Sequence, residues 1–116
     1  MRFILIDEIV SMDPGRTIHG VKTLGAGEDV FRDHFPGFPV VPGVLLTEMM
    51  AQTAGKCLDA EHPERGKSML VQIRGASFRR WVRPGERADI HAEVTMSAGD
   101  VARAKCRVAV DGQEAA

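Results

Sequence analysis

HFPGFPVVPGVLLTEMMAQTAGKCL, residues 34–58, joins a segment that cannot be regular to one that must be helical. Pro36, Pro39 and Pro42 fall within ten residues, with Gly37 and Gly43 beside them, and that density fits neither a helix interior nor a central strand. The stretch from His34 to Gly43 is therefore a stiff loop. From Val44 to Leu58 there is no proline, and Leu, Met, Ala and Gln dominate. Pro42-Gly43 suits a helix start. The apolar positions Val44, Leu45, Leu46, Met49, Met50, Ala51, Ala54 and Leu58 pass nearly all the way round, which predicts a helix enclosed by other structure.

The flanks read as strands. Arg2–Val10 is apolar and β-branched and is followed by the turn residues Met12-Asp13-Pro14-Gly15; Thr17–Leu24 alternates until Gly25-Ala26-Gly27. Asp59–Lys67 is a polar connection, after which Ser68–Phe78, Arg87–Met96 and Val101–Val110 are strand-like. In the middle one Ala88, Ile90, Ala92, Val94 and Met96 alternate with Asp89, His91, Glu93 and Thr95, one face dry and one wet. Pro84-Gly85, Gly99-Asp100 and Asp111-Gly112 punctuate the run. Two strands, a buried helix and three antiparallel strands predict an α+β domain over residues 1–116, a curved sheet wrapped around one central helix in the hotdog manner. An uncovered sheet edge near the C-terminus predicts pairing with a second copy as a homodimer.

Bulk properties narrow the function. A net charge of −1 provides no field to gather nucleic acid. Cys57 and Cys106 have neither CxxC spacing nor nearby histidines, so neither a disulfide framework nor a metal site is expected. Phe3–Ile6 is too short for a membrane span or signal peptide, which makes the cytoplasm the expected compartment.

Two titratable residues stand where bulk physics would not put them. His34 opens the stiff loop, and Glu48 lies on the enclosed helix, where an ionised carboxylate is costly unless paired. A protonated acid near an imidazole base forms an acid–base pair. Gln52, one turn after Glu48, is placed to orient it. At the helix start, the N–H groups near Gly43 and Val44 lack intrahelical partners and suit an oxygen that gains negative charge; Gly43 also allows close approach to the backbone.

The run His34-Phe35-Pro36-Gly37-Phe38-Pro39-Val40-Val41-Pro42-Gly43-Val44-Leu45, with Glu48 and Gln52 after it, resembles the active-site stretch of the 3-hydroxyacyl-acyl-carrier-protein dehydratases of type II fatty-acid synthesis. Phe78-Arg79-Arg80-Trp81-Val82-Arg83-Pro84-Gly85-Glu86 resembles a second stretch of that family. The resemblance implies a hotdog dimer, alone or as a trimer of dimers, with His34 of one subunit facing Glu48 of the other. It implies that His34 takes the C2 proton, Glu48 protonates the departing C3 hydroxyl, Gly43 N–H holds the thioester carbonyl and the Val40 carbonyl orients the imidazole. Val44, Gln52 and Phe35 fall in the same substrate region, and no metal or organic cofactor is implied. The partner would be acyl carrier protein, which is acidic, so Arg79, Arg80 and Arg83 become docking candidates. No tyrosine occurs, so the family's frequent tyrosine gate is absent, and Met69 stands about where it would be.

Three rival functions share this fold. A dehydratase-isomerase typically carries aspartate where this chain has Glu48, and a thioesterase needs its carboxylate in another setting. A non-catalytic acyl-binding subunit usually lacks one of the pair. His19, His62 and His91 read as surface residues, and Met49 and Met50 as core or tunnel lining.

Overall fold

Alternation becomes a ladder wherever a neighbouring strand is available. The computed structural model describes residues 3–116. Strands β1 (Glu8–Asp13), β2 (Thr17–Thr23), β3 (Arg87–Ala98), β4 (Val101–Val110) and β5 (Gln113–Glu114) form one antiparallel sheet in sequence order, and helix α2 (Gly43–Glu61) packs on it. A short helix α1 (Val30–Asp33) precedes the proline loop and a single 3₁₀ turn (Pro63–Arg65) follows α2. The α+β, sheet-on-helix expectation holds.

The dry face of the sheet supplies the core. Ile18 on β2, Ala88, Ile90 and Ala92 on β3, and Val108 and Val110 on β4 are buried, with Leu45, Leu46, Met49, Ala54 and Cys57 of α2. Gly20 brings β2 close to the helix: a Cβ there would lie 3.7 Å from a methyl of Thr53. The β4–β5 turn has positive φ at both Asp111 (50°) and Gly112 (78°), the dihedral signs that a tight hairpin of right-twisted strands requires.

Four expectations need correction. The first strand runs over Glu8–Asp13, so Met12 and Asp13 are strand and the turn begins at Pro14; Arg2 lies outside the described residues. Ser68–Phe78 is not a strand: the run is extended but has no ladder partner, and Met69 and Val71 are 80% and 81% exposed. Helix α2 is longer than the Val44–Leu58 expectation and is enclosed on one side only, since Val44 is 76% exposed and Glu48, Met50, Ala51 and Gln52 are half-buried. Finally, His19 and His91 are half-buried on the wet face as a stacked cross-strand pair, with ring centroids 4.1 Å apart. No helix among the described residues is long and apolar enough to cross a membrane.

Candidate active site

The proline loop is held by hydrogen bonds as well as by its prolines. Phe35 N–H donates to Phe38 O (3.0 Å) and Phe38 N–H returns to Phe35 O (2.9 Å), with Gly37 at φ +75° making that tight turn possible. Val40 N–H donates to His34 O (3.0 Å), and Val41 N–H to Val82 O (2.7 Å). Val40 and Val41 are buried, so the loop is anchored in the core immediately before α2 begins.

That anchoring fixes the imidazole. His34 Nδ1 lies 3.2 Å from Val40 O, and the ring stacks on Phe35 with centroids 4.1 Å apart. A carbonyl can only accept, so Nδ1 carries the proton and Nε2 is left with its lone pair free to act as a base.

At the start of α2, Leu45 and Leu46 N–H both donate to Pro42 O (2.9 and 3.2 Å). Among the described residues the N–H groups of Gly43 and Val44 make no such bond, as expected for a first helical turn. On its Cβ side, Gly43 is packed against a side chain. A Cβ at this position would meet the edge of the Phe78 ring at 3.2–3.3 Å. About two and a half turns on, Gln52 Nε2 donates to Glu48 Oε1 (3.2 Å) and to Phe3 O (3.2 Å), while Gln52 Oε1 accepts from Leu5 N–H (2.9 Å). One amide therefore pins both the carboxyl group and the N-terminal segment to α2.

Within a single chain, no hydrogen bond among the described residues links His34 to Glu48. The three arginines also differ. Arg80 is half-buried and its Nη2 donates to Glu86 Oε2 (2.7 Å), whereas Arg79 pairs with Glu114 (3.0 Å) and Arg83 lies over the Phe38 ring, 5.6 Å from its centroid. Glu86 also accepts from Arg83 N–H (2.8 Å). The hydrogen bond from Arg80 holds the Glu86 carboxyl below the usual carboxylate range, against the opposing effect of burial. Phe38 in turn meets Trp81 edge-on at 5.7 Å. The role of Phe78, and the bonds from Gln52 to Phe3 and Leu5, had no sequence signal of their own: each is a contact between segments far apart in the chain.

A family model described as the FabA-like domain matches residues 1–116, the whole chain. The chain belongs to the FabA-like family. A 3-hydroxyacyl-[acyl-carrier-protein] dehydratase FabZ of Listeria monocytogenes is 37% identical over 111 residues, covering 95% of this chain and 77% of the relative. The proteins of the same name from Ruminiclostridium cellulolyticum (36% over 115 residues, 98% and 81%) and Bacillus pumilus (37% over 114 residues, 97% and 79%) are similarly related. Among solved structures, a chain of the dehydratase heterocomplex ApeI:P from Xenorhabdus doucetiae superposes with a TM-score of 0.76. That match covers 97% of this chain and 77% of the other at 17% identity, a likeness of fold. The FabA-like fold is the hotdog expected from the order of elements.

Proposed function

We propose that this FabA-like chain is a hydro-lyase that converts a 3-hydroxyacyl thioester of acyl carrier protein into the trans-2-enoyl thioester and water, in cytoplasmic fatty-acid synthesis. The reading is carried by one observation, an imidazole whose Nδ1 is committed to Val40 O beside a helix start with two unpartnered N–H groups. Its support is 36–37% identity to proteins named for this reaction.

His34 Nε2 takes the C2 proton while the thioester carbonyl, gaining charge, accepts from Gly43 N–H with Val44 N–H adjacent. Electrons of the broken C2–H bond form the C2=C3 bond, and the C3–O bond breaks as Glu48 delivers its proton, so water leaves. The imidazolium and the Glu48 carboxylate are then reset by a net proton transfer. Gln52 keeps the carboxyl aimed, and Phe35, stacked on His34, walls the site with Val40 behind it.

The pair is completed between two copies, His34 of one facing Glu48 of the partner subunit. The apolar residues that a single chain leaves open support this: Val44 on α2, Met69, Val71 and Ile73 on the extended segment, and Trp81 are each more than half exposed. The rim formed by Arg79, Arg80 and Arg83 receives the acidic carrier protein, with Arg80 acting through Glu86 to hold the Arg83 backbone.

The experiment is turnover of 3-hydroxyacyl carrier protein, followed by enoyl absorbance. His34→Ala and Glu48→Gln should each lower kcat by roughly 10²–10⁴-fold, and mixing the two inactive variants should restore part of the activity by forming one intact site per mixed dimer. Full activity in either single variant defeats the assigned role, and no recovery on mixing defeats the shared site.

A further inference from the structure

The N-terminal segment, residues 3–7, belongs to no strand, yet its main chain is held from two sides. Asp7 N–H donates to Val21 O of β2 (2.7 Å), and the Ile6 side chain lies 3.4 Å from where a Cβ on Gly20 would stand. Leu5 is fully buried, in one core cluster with Val41, Leu45, Leu46 and Met49. That packing fixes the directions of the Leu5 N–H and the Phe3 carbonyl, and both meet the same side chain. Leu5 N–H donates to Gln52 Oε1 (2.9 Å), and Phe3 O accepts from Gln52 Nε2 (3.2 Å).

A backbone N–H can only donate and a carbonyl can only accept, so these two groups together admit one orientation of the amide. Turned over, it would set its NH₂ against the Leu5 N–H and its oxygen against the Phe3 carbonyl, two repulsive contacts in place of two bonds. The polarity runs on to Glu48. An amide nitrogen carries two hydrogens; one is committed to Phe3 O and the other meets Glu48 Oε1 (3.2 Å). Oε1 is therefore an acceptor, and a proton held by this carboxyl group sits on Oε2, which makes no hydrogen bond among the described residues.

We propose that segment 3–5 is a positioning element for the acid: its main chain sets the orientation of the Gln52 amide, and that orientation selects Oε2 of Glu48 as the oxygen from which the proton leaves. The inference rests on the reading of Glu48 as the acid of the dehydration. As the C3–O bond of the substrate breaks, the Oε2–H bond breaks too; the proton goes to the departing hydroxyl and the bonding pair stays on the carboxyl group. Oε1 keeps the same N–H bond before and after. The carboxylate that remains is thus met by a donor already in place, with no group to turn during the step. With the amide free to turn, Oε1 and Oε2 would trade roles, and a share of the protonated carboxyl groups would present a lone pair where the hydroxyl needs a proton. Leu5 and Gln52 are positioning residues that act through Glu48.

The test replaces the peptide bond between Ile4 and Leu5 by an ester in the full chain. This exchanges the Leu5 N–H for an oxygen and, unlike Leu5→Pro, leaves the buried side chain as it is. Among the described residues that N–H has no acceptor besides Gln52. With 3-hydroxyacyl carrier protein as substrate, the ester should lower kcat roughly tenfold at unchanged KM, the scale of one hydrogen bond in the transition state. Gln52→Met should lower kcat by at least as much, and the ester added to Gln52→Met should cost nothing further. Independently of turnover, both hydrogens of the Gln52 side-chain amide should exchange slowly with solvent in the parent and faster in the ester. An ester with parental kcat, one that raises KM alone, an equal loss with and without the Gln52 amide, or amide exchange that the ester leaves slow would each overturn the proposal. Full activity in Glu48→Gln would end the reading of Glu48 and this proposal with it, whereas an inactive Glu48→Gln beside an ester at parental kcat would end this proposal alone.

Discussion

The proline loop, residues 34–42, and the extended segment 66–80 are both irregular, yet they are opposites in solidity. The first makes four backbone hydrogen bonds through Phe35, Phe38, Val40 and Val41 and buries two valines. The second leaves Met69, Leu70, Val71 and Ile73 more than half exposed, and near its end Arg79 N–H donates to Ala115 O, just past β5. Regularity is thus not what makes a segment rigid; satisfied backbone groups and burial are. On the proposed reading, chemistry sits on the first kind and association on the second.

The sharpest way to break that contrast is to truncate an apolar side chain to alanine at a packed and at an open position. Met49 of α2 is 1% exposed, and Met49→Ala should cost about 2–5 kcal/mol in denaturant unfolding. Val71→Ala should change the stability of the dilute chain by no more than about 0.5 kcal/mol, yet weaken self-association in sedimentation. Comparable losses of folding stability at the two sites would show that 66–80 is packed after all.

The two regions touch at Phe78 and Gly43, which gives a second, smaller effect. Gly43→Ala places a methyl 3.2 Å from a ring edge and should cost about 1–3 kcal/mol, because a packed contact has to shift. If the ring is the obstacle, Gly43→Ala combined with Phe78→Leu should recover part of that stability. A double variant no better than the single one would mean that the helix start itself resists the methyl group.

The same contrast explains what the sequence disclosed. Three prolines in ten residues, the long Leu/Met/Ala run and the Ala88-to-Met96 alternation dictate local geometry, so loop, helix and β3 were legible. Ser68–Phe78 has strand-forming residues too, but a strand is a relation between two edges and no composition states whether the second edge is there. His34, Glu48 and Gln52 could be named because loop and helix place them. The hold of Gln52 on Phe3 and Leu5, and of Phe78 on Gly43, arises between distant segments and left no local pattern. The helix seemed enclosed because its apolar residues circle it, whereas a single chain covers one side. The residues left open on the other side are those that Val44 and Ala51 contribute to a surface shared between copies in the proposed dimer.

A third prediction concerns the anchor at the end of the open segment. Arg80 and Glu86 form an ion pair whose side chains are 28% and 23% exposed. Arg80→Gln should therefore cost about 2 kcal/mol at neutral pH, the scale of a hydrogen bond to a charged partner. The Glu86 carboxyl titrates lower in the folded chain than its ordinary 4.5, so its contribution is fully present above that value and is lost as pH falls through the folded value. The stability gap between the parent and Arg80→Gln should accordingly close on acidification. A gap that persists in acid would assign the effect to packing of the arginine stem.

The smallest expected effect lies in the part of the molecule with every ladder bond in place, the wet face of β2 and β3. Burial lowers the affinity of His91 for a proton, and the charges of His19 and Arg107 add to this while Asp89 opposes it. The folded chain therefore binds that proton less readily than the unfolded chain, whose ordinary value is 6.5. Stability is complete above about that pH and declines as the pH falls below it, since the unfolded state takes up the proton first. His91 is only half-buried, so the decline attributable to it should be small, and His91→Gln should flatten it in unfolding measured across the range. A parent whose stability instead rises on mild acidification would overturn the burial of His91 as the dominant effect on this face.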